Sequence, residues 1–184
     1  MLDIEFVRNR FVKHFDGKTG SVYTSPGRIN LIGEHTDYNG GFVFPGAVDR
    51  GVVAEMRANG TEDTVMAYAI DLKDRVDFKL SDPNGPRASW ARYIYGIALE
   101  MSKLGVPVKG FNIAFAGDVP LGAGMSSSAA MESVLPMGLM TFSATTKYHN
   151  GIWSSQVRLP NTITVASTVA SWISLLLFSE SLVV

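Results

Sequence analysis

The sequence predicts an α+β domain in which a mixed, largely antiparallel sheet packs against helices. Short strand-forming segments recur, separated by Gly, Asp and Asn, which is typical of antiparallel sheets. They cover residues 22–25, 43–44, 52–57, 65–69 and 76–80. Helical segments do not alternate regularly with these strands, and no internal repeat is visible. The order of elements therefore favours α+β over a regular βαβ arrangement.

The first element predicted is an amphipathic helix over residues 4–15, ended by Asp16-Gly17. Its apolar side chains lie near one face at helical spacing. They are Ile4, Val7, Phe11, Val12 and Phe15. A short strand over residues 22–25 follows, and we expect it to stop at Pro26-Gly27.

The second half of the predicted domain contains two further helices. Residues 81–86 are a loop by composition, after which Ser89 can cap a helix over 90–103 that Gly105 ends. Its expected buried stripe consists of Tyr93, Ile97, Ala98, Leu99 and Met101. A strand over 111–116 and a helix over 127–141 complete the domain.

The bulk properties exclude several classes of protein. The 184 residues suffice for one domain with a core, and a net charge of −1 gives no reason to expect nucleic acid or a membrane surface as partner. Without cysteine there is no disulfide framework and no thiolate metal site. The acidic start of the chain does not resemble a secretory signal, so we expect a cytoplasmic protein.

A glycine- and serine-rich turn at residues 120–132 lies between the strand 111–116 and the following helix. Gly122 and Gly124 allow a ligand to approach main-chain N–H groups, and three serines follow where the helix begins. Such a turn can bind an anion, most naturally phosphate, or can be purely structural. It is neither a Walker A loop nor a dinucleotide-binding motif, because the residues that define those motifs are missing.

A dense polar cluster, Glu34, His35 and Asp37, follows an apolar run that begins after Arg28. It can be a solvated turn, a metal site or a sugar site. Carboxylates and imidazole bind sugar hydroxyls in fixed directions, so a sugar site explains this composition better. Arg28 carries a permanent charge suited to phosphate or an ionised carboxylate, or to a surface salt bridge.

Two motifs together resemble a known family. Residues 25–41, which include Arg28-Ile-Asn-Leu-Ile-Gly-Glu-His-Thr-Asp-Tyr-Asn-Gly-Gly, resemble the galactokinase signature. Residues 120–132, Pro-Leu-Gly-Ala-Gly-Met-Ser-Ser-Ser-Ala-Ala-Met-Glu, resemble the second, phosphate-binding motif of GHMP small-molecule kinases. Residues 89–96 are also similar to galactokinases. The resemblance implies a partial GHMP kinase N-terminal domain, of the ribosomal protein S5 domain 2-like fold, over residues 1–133.

The resemblance implies galactose 1-phosphorylation by ATP with Mg²⁺, and it assigns roles to residues of this chain. Galactose hydroxyls would be held by Glu34, His35 and Asp37. ATP phosphates would be held by Gly122, Gly124, Ser126, Ser127 and Ser128, with Ser128 contributing to Mg²⁺ binding. Trp90 would lie beside the adenine, and Arg28 would stabilise the catalytic carboxylate and the transferring phosphoryl group.

The chain departs from this family after the phosphate motif. The family's catalytic aspartate follows about fifty residues later in a Met-Asp-Gln stretch, whereas this chain has no aspartate after Asp118. A third motif and a second domain are missing as well. We therefore expect only background turnover. The alternatives are a non-catalytic sugar or nucleotide binder and an unfolded fragment that self-associates through its exposed core.

Residues 134–184 form an atypical tail. Sixteen of the seventeen acidic residues and all but two of the sixteen Lys and Arg residues lie at or before Glu132. One hypothesis is a shifted reading frame: Ser171-Trp172-Ile173-Ser174-Leu175 can be encoded by TCA TGG ATC AGT TTG, which contains ATG GAT CAG TTT, or Met-Asp-Gln-Phe. The other interpretations are a short membrane anchor or an ordinary packed segment.

Overall fold

The computed structural model describes residues 3–32, 42, 44–118 and 127–142; within these, the side chains of 45, 127–129 and 142 are not described. The described chain forms three helices and five strands. In order they are α1 (Ile4–His14), β1 (Ser21–Ile32), β2 (Phe44–Ala58), β3 (Thr64–Ala69), β4 (Asp74–Lys79), α2 (Ser89–Lys103), β5 (Phe111–Gly117) and α3 (Ser127–Phe142). This confirms the predicted α+β class.

The five described strands form one sheet in the order β1-β2-β5-β3-β4. Neighbouring strands are antiparallel except β3 and β5, which run parallel. The sheet is therefore mixed and largely antiparallel, as the sequence predicts. Although β5 is the last of the five along the chain, it lies at the centre of the sheet.

The two faces of the sheet are covered by different helices, because successive side chains of a strand point to opposite faces. On β2, Val52, Ala54 and Met56 belong to a cluster with α2 and α3. Val53, which points the other way, packs with the α1 residues Val7 and Phe11. The described chain is thus a three-layer arrangement, with α1 on one side of the sheet and α2 and α3 on the other.

The first strand differs from its prediction. β1 does not stop at Pro26 but continues to Ile32, paired with β2 except at two register shifts, one after Pro26 and one after Asn30. The register shifts between Pro26, which faces Gly51, and Arg28, which faces Ala47. This irregularity accommodates the Pro-Gly step without ending the strand. Phe44 and the predicted strand over 52–57 are likewise parts of one strand, β2, whereas residue 43 lies outside the described residues.

The end of α2 at Lys103 is as predicted, but the helix begins one residue earlier than predicted, and its cap and part of its buried face also differ from the prediction. The N-cap is Ala88, which makes no side-chain capping hydrogen bond, and Ser89 is already helical. Tyr93, expected in the core, is exposed. The buried residues are Ala91, Ile94, Ile97, Ala98 and Met101.

The first helix, α1, follows its prediction closely. Asp3 caps it by accepting a hydrogen bond from the Glu5 amide, and Val7 and Phe11 are buried, although Ile4 is exposed. None of the described helices is long and apolar enough to cross a membrane. Residues 143–184, which include most of the proposed tail, lie outside the described residues, and α3 continues past residue 133 to Phe142.

Candidate functional site

Two strands of the sheet, β1 and β5, and the helix α3 lead to the site predicted from the sequence, and β2 lies between the two strands. β1 runs to Ile32, directly before the polar cluster, and β5 runs to Gly117, shortly before the glycine- and serine-rich turn. Glu34, His35, Asp37, Gly122, Gly124 and Ser126 themselves lie outside the described residues. Ser127 and Ser128 form the first described turn of α3, and only their backbone is described.

A row of contacts runs from β1 through β2 to Asp118, the residue that follows β5. Pro26 on β1 pairs with Gly51 on β2. The Gly51 amide donates a 2.7 Å hydrogen bond to Oδ1 of Asp118, whose own amide donates to the Gly51 carbonyl at 3.1 Å. Burial acts to raise the pKa of Asp118, but the Gly51 hydrogen bond contributes to holding it below the usual value. The chain therefore leaves β5 beside the bulge that precedes Arg28.

The bulge depends on Gly51 having no side chain. A Cβ at this position would collide with the carbonyl oxygen of Ser25 and lie 3.0 Å from the Cα of Pro26. Gly46, further back on the same strand, is different, because its Cβ would meet only Ile29 at an ordinary 3.8 Å. Close approach of two backbones at Gly51 thus sets the strand geometry just before Arg28.

Arg28 is half-buried on β1, and α3 packs along this strand. Within α3, Glu132 is the one charged residue, and it is only 5% exposed. Burial raises the pKa of its carboxyl group to about 7, while the positive charge of Arg28 acts in the opposite direction. Arg28 and Glu132 therefore interact electrostatically across the interface between β1 and α3.

Besides Arg28, the N-terminal end of α3 contributes positive electrostatic potential at the predicted site. The first amides of a helix have no partner within the helix, and the helix dipole adds positive partial charge there. Ser127 begins the described part of this helix, four residues before the buried Met131 and five before Glu132. The anion site predicted from the glycine- and serine-rich turn would lie at this end of the helix.

Trp90, expected beside an adenine, lies in the first turn of α2 and is half-buried against the main core. Its indole Nε1 donates a 2.9 Å hydrogen bond to Oδ2 of Asp74 at the start of β4. The rings of Trp90 and Phe115 are tilted, with centroids 5.7 Å apart. The indole is thus fixed at its edge by Asp74 and on the core side by Phe115, and it retains exposed surface.

Three contributors to this site were missed by the sequence analysis. The partner of Trp90, Asp74, gives no local signal because it lies sixteen residues away. Gly51 also gives no local signal in the sequence, since its role depends on which strand lies opposite. Glu132 does give a signal: a single acidic residue in an otherwise uncharged apolar helix is expected to have a specific partner.

Two family models match the chain. The galactokinase galactose-binding signature matches residues 9–58, and the N-terminal domain of GHMP kinases matches residues 92–151. These matches include Arg28, the polar cluster, the glycine- and serine-rich turn and α3, but not Trp90. The second match also extends beyond residue 133.

Curated galactokinases are similar to most of this chain. The galactokinase of Roseiflexus sp. is 42% identical over 132 residues, covering 72% of this chain and 34% of the relative. That of Halalkalibacterium halodurans is 46% identical over 121 residues, covering 64% of this chain and 30% of the relative. The chain thus matches about a third of the length of these enzymes.

Solved structures agree with this relationship. The galactokinase of Lactococcus lactis, crystallised in complex with galactose, superposes with a TM-score of 0.69 at 32% identity, covering 78% of this chain and 38% of that one. A mevalonate kinase of Methanococcus jannaschii shares the fold, with a TM-score of 0.56 at 20% identity, covering 68% of this chain and 41% of that one. The chain belongs to the galactokinase family of the GHMP kinase superfamily, whose N-terminal part it matches.

Proposed function

We propose that this chain carries the galactose site and the ATP-phosphate site of a kinase that phosphorylates galactose at the 1-hydroxyl. The observation that carries the proposal is the row from Pro26 through Gly51 to Asp118. It brings the strand that leads to the sugar motif and the strand that leads to the phosphate motif together beside Arg28. Sequence similarity to galactokinases over both motifs supports the same function.

In this proposal each motif binds one substrate. Glu34, His35 and Asp37 bind galactose hydroxyls, and the backbone around Gly122 and Gly124 binds the ATP phosphates. Three serines, Ser126, Ser127 and Ser128, complete the phosphate site. The adenine lies against the exposed surface of Trp90, which is suited to stacking.

The proposed role of Arg28 follows from its charge and position. A guanidinium stabilises the negative charge on a transferring phosphoryl group, and phosphoryl transfer depends mainly on such positioning and electrostatics. Arg28 lies on a strand whose geometry is fixed at Gly51, so its backbone is held by the sheet. Replacing it with Met would remove this charge and retain much of the side-chain volume.

The assignment of Mg²⁺ rests on the family resemblance and on Ser128. Within the described residues, no group of three His, Asp or Glu side chains is placed to hold a metal ion. A serine hydroxyl and ATP phosphate oxygens are suitable donors for this hard cation, which would neutralise phosphate charge when bound.

We further propose that this chain binds substrates without efficient turnover. The sequence has no aspartate after Asp118, where the family resemblance places the catalytic carboxylate. Without that group, no assigned residue receives the proton from the sugar hydroxyl. This absence favours a second candidate function, a galactose- or nucleotide-binding relative with no catalytic activity.

Calorimetry and a coupled ADP-release assay on protein of verified 184-residue mass test both proposals. We expect galactose to bind, ADP release to stay at background, and Asp37→Asn to abolish galactose binding. Glu62→Gln is the matched control, because Glu62 is an exposed acid paired with Lys109 at the surface. Robust galactose-dependent ADP release would refute the lack of turnover. A cooperatively folded protein that does not bind galactose would refute the sugar site.

A further inference from the structure

We propose that Asp71 is a positioning residue that holds the end of β5 and, through it, the glycine- and serine-rich turn that follows. For the nucleotide, this inference rests on the function proposed above, in which that turn binds the ATP phosphates. Asp71 lies between β3 and β4, outside the residues that either family model matches. It also lies outside the motifs on which the sequence resemblance depends.

The first argument is a hydrogen bond between the last residue of β5 and this side chain. The Gly117 amide donates to Oδ2 of Asp71 at 2.8 Å. Parallel pairing between β3 and β5 ends two residues earlier on β5, at Phe115, which faces Ala69. Asp71 therefore extends the contact between these two parts of the chain beyond the end of their regular pairing.

The second argument is that the Asp71 carboxylate replaces a main-chain acceptor. The Ile70 amide donates to the Phe115 carbonyl at 3.0 Å, so in a continued parallel ladder the Gly117 amide would donate to the Ile70 carbonyl. That carbonyl instead accepts a hydrogen bond from the Lys73 amide at 3.1 Å, because the chain turns there toward β4. The side chain of Asp71 supplies the acceptor that the turn removes.

The same replacement occurs on the other side of β5, toward β2. The Asp118 amide donates to the Gly51 carbonyl, and in a regular antiparallel pair the Gly51 amide would donate back to the Asp118 carbonyl. It donates instead to Oδ1 of the Asp118 side chain at 2.7 Å. Gly117 and Asp118 are thus held from both sides, by Asp71 and by Gly51, shortly before the glycine- and serine-rich turn begins.

The segment that carries Asp71 also holds the residue proposed to lie beside the adenine. Asp74, three residues after Asp71, accepts the hydrogen bond from the Trp90 indole. Residues 71–74 therefore contact both the strand that leads to the proposed phosphate site and the indole of the proposed adenine site. A ligand loses less conformational freedom on binding to a site that is already ordered. We therefore expect Asp71 to affect nucleotide binding and to leave galactose binding unchanged.

Charge and position make opposite predictions for Asp71. Its negative charge repels phosphate, whereas its hydrogen bond orders the chain that leads to the phosphate site. Asp71→Asn removes the charge and keeps an acceptor oxygen, and Asp71→Ala removes both. A positioning role therefore predicts that Asp71→Ala weakens nucleotide binding and that Asp71→Asn does not.

The position of β5 can be tested without any nucleotide. Nuclear magnetic resonance would measure hydrogen exchange of the Gly117 amide, which we expect to be at least roughly tenfold faster in Asp71→Ala and close to wild type in Asp71→Asn. The amide signals of Gly122 and Gly124 should move in Asp71→Ala and stay near their wild-type positions in Asp71→Asn. Unmoved signals in Asp71→Ala, or a Gly117 amide that is unprotected already in the wild type, would overturn the proposal.

Asp63→Ala is the matched control for both measurements. Asp63 is an aspartate at the other end of β3, where its side chain accepts a hydrogen bond from the Ser81 hydroxyl. We expect its replacement to leave the exchange of the Gly117 amide unchanged. Equal effects of Asp63→Ala and Asp71→Ala would indicate general destabilisation and would overturn the specific role of Asp71. An Asp71→Asn variant that behaves like Asp71→Ala would attribute the effect to charge and would overturn positioning.

Calorimetric titration with the ATP analogue AMPPNP connects Asp71 to the proposed function. We expect Asp71→Ala to weaken AMPPNP binding at least roughly threefold, with galactose affinity unchanged, and Asp71→Asn to bind at least as tightly as the wild type. Unchanged AMPPNP affinity in Asp71→Ala would overturn the role in nucleotide binding. If the wild type does not bind AMPPNP while Gly117, Gly122 and Gly124 respond as expected, the proposed nucleotide site fails and the positioning by Asp71 stands.

Discussion

The indole Nε1 of Trp90 donates a 2.9 Å hydrogen bond to Oδ2 of Asp74, joining the first turn of α2 to the first residue of β4. Tryptophan has a single hydrogen-bond donor, and this contact uses it. The edge of the ring is thereby fixed, and the remaining exposed surface is apolar and flat. Such a surface is ready to stack on a planar ligand without reorganising first.

If the adenine lies against Trp90 as proposed, replacing Asp74 with Ala should weaken adenine nucleotide binding. Loss of a hydrogen bond to a charged acceptor is worth about 1.5 kcal/mol, so we expect AMPPNP affinity to fall about tenfold while galactose affinity is unchanged. Isothermal titration calorimetry measures both affinities. Asp77→Ala is the matched control, because Asp77 is an exposed acid on the same strand that pairs with Arg75. An equal loss in both variants would exclude a specific role for Asp74.

Replacing Gly51 with Ala should destabilise the protein and disturb Arg28. The added Cβ would collide with the Ser25 carbonyl oxygen, a backbone atom that cannot rotate away. Overpacking of this kind costs roughly 1–3 kcal/mol. Urea unfolding measures the loss, and we expect Gly46→Ala on the same strand to change stability by less than about 0.5 kcal/mol. Similar losses at the two positions would show that the close approach at Gly51 is unimportant.

The pH dependence of stability should carry a contribution from Glu132. Its folded-state pKa of about 7 lies above the ordinary value of 4.5, so the folded state retains a proton that the unfolded state has released. Between these two pH values the contribution of Glu132 to stability therefore decreases as pH rises, by up to ~3 kcal/mol in total. Below pH 4.5 the carboxyl is protonated in both states and the penalty is absent.

We therefore expect Glu132→Gln to be close to wild type in stability at pH 4.5 and more stable than wild type at pH 8. Urea unfolding at several pH values measures this difference in stability. Because the two proteins share all other titrating groups, the contributions of those groups cancel in the comparison. A variant that is equally destabilised at both pH values would contradict the raised pKa. A residue that costs stability at neutral pH is typical of a functional position.

The proposed origin of the tail makes a prediction about the gene. The bases that encode residues 171–175 should contain ATG GAT CAG TTT in the shifted frame, with the change of frame located between codons 132 and 156. Sequencing the coding DNA decides this directly. Serine or leucine codons incompatible with that reading would end the hypothesis, whatever the activity of the protein.

The elements that the sequence predicted well are those with local signals. α1, β3, β5 and α3 follow from periodicity and from the turn residues that bound them. β1 was predicted too short, because Pro26 and Gly27 usually end a strand. The bulge that accommodates them depends on Gly51, twenty-five residues away from Pro26, and no local pattern contains that information.

The same distinction applies to the candidate site. Arg28 and Trp90 are candidates from the sequence because they lie within recognisable motifs. The hydrogen bond between Asp74 and Trp90 depends on the packing of β4 and α2, and the burial of Glu132 depends on the packing of α3 against β1. Both contributions therefore become visible only in three dimensions. The side chain of Tyr93 was misplaced for a related reason: helical spacing alone does not determine which side of the stripe faces the sheet.

The central position of β5 has a consequence for how the protein folds during synthesis. β1 pairs with β2, and β3 pairs with β4, each with its neighbour along the chain. β5 joins these two pairs, and it is the last of the five strands to leave the ribosome. Until it does, the inner edges of β2 and β3 are open, and open strand edges promote aggregation. We infer that the nascent chain is most vulnerable between the completion of β4 and the insertion of β5.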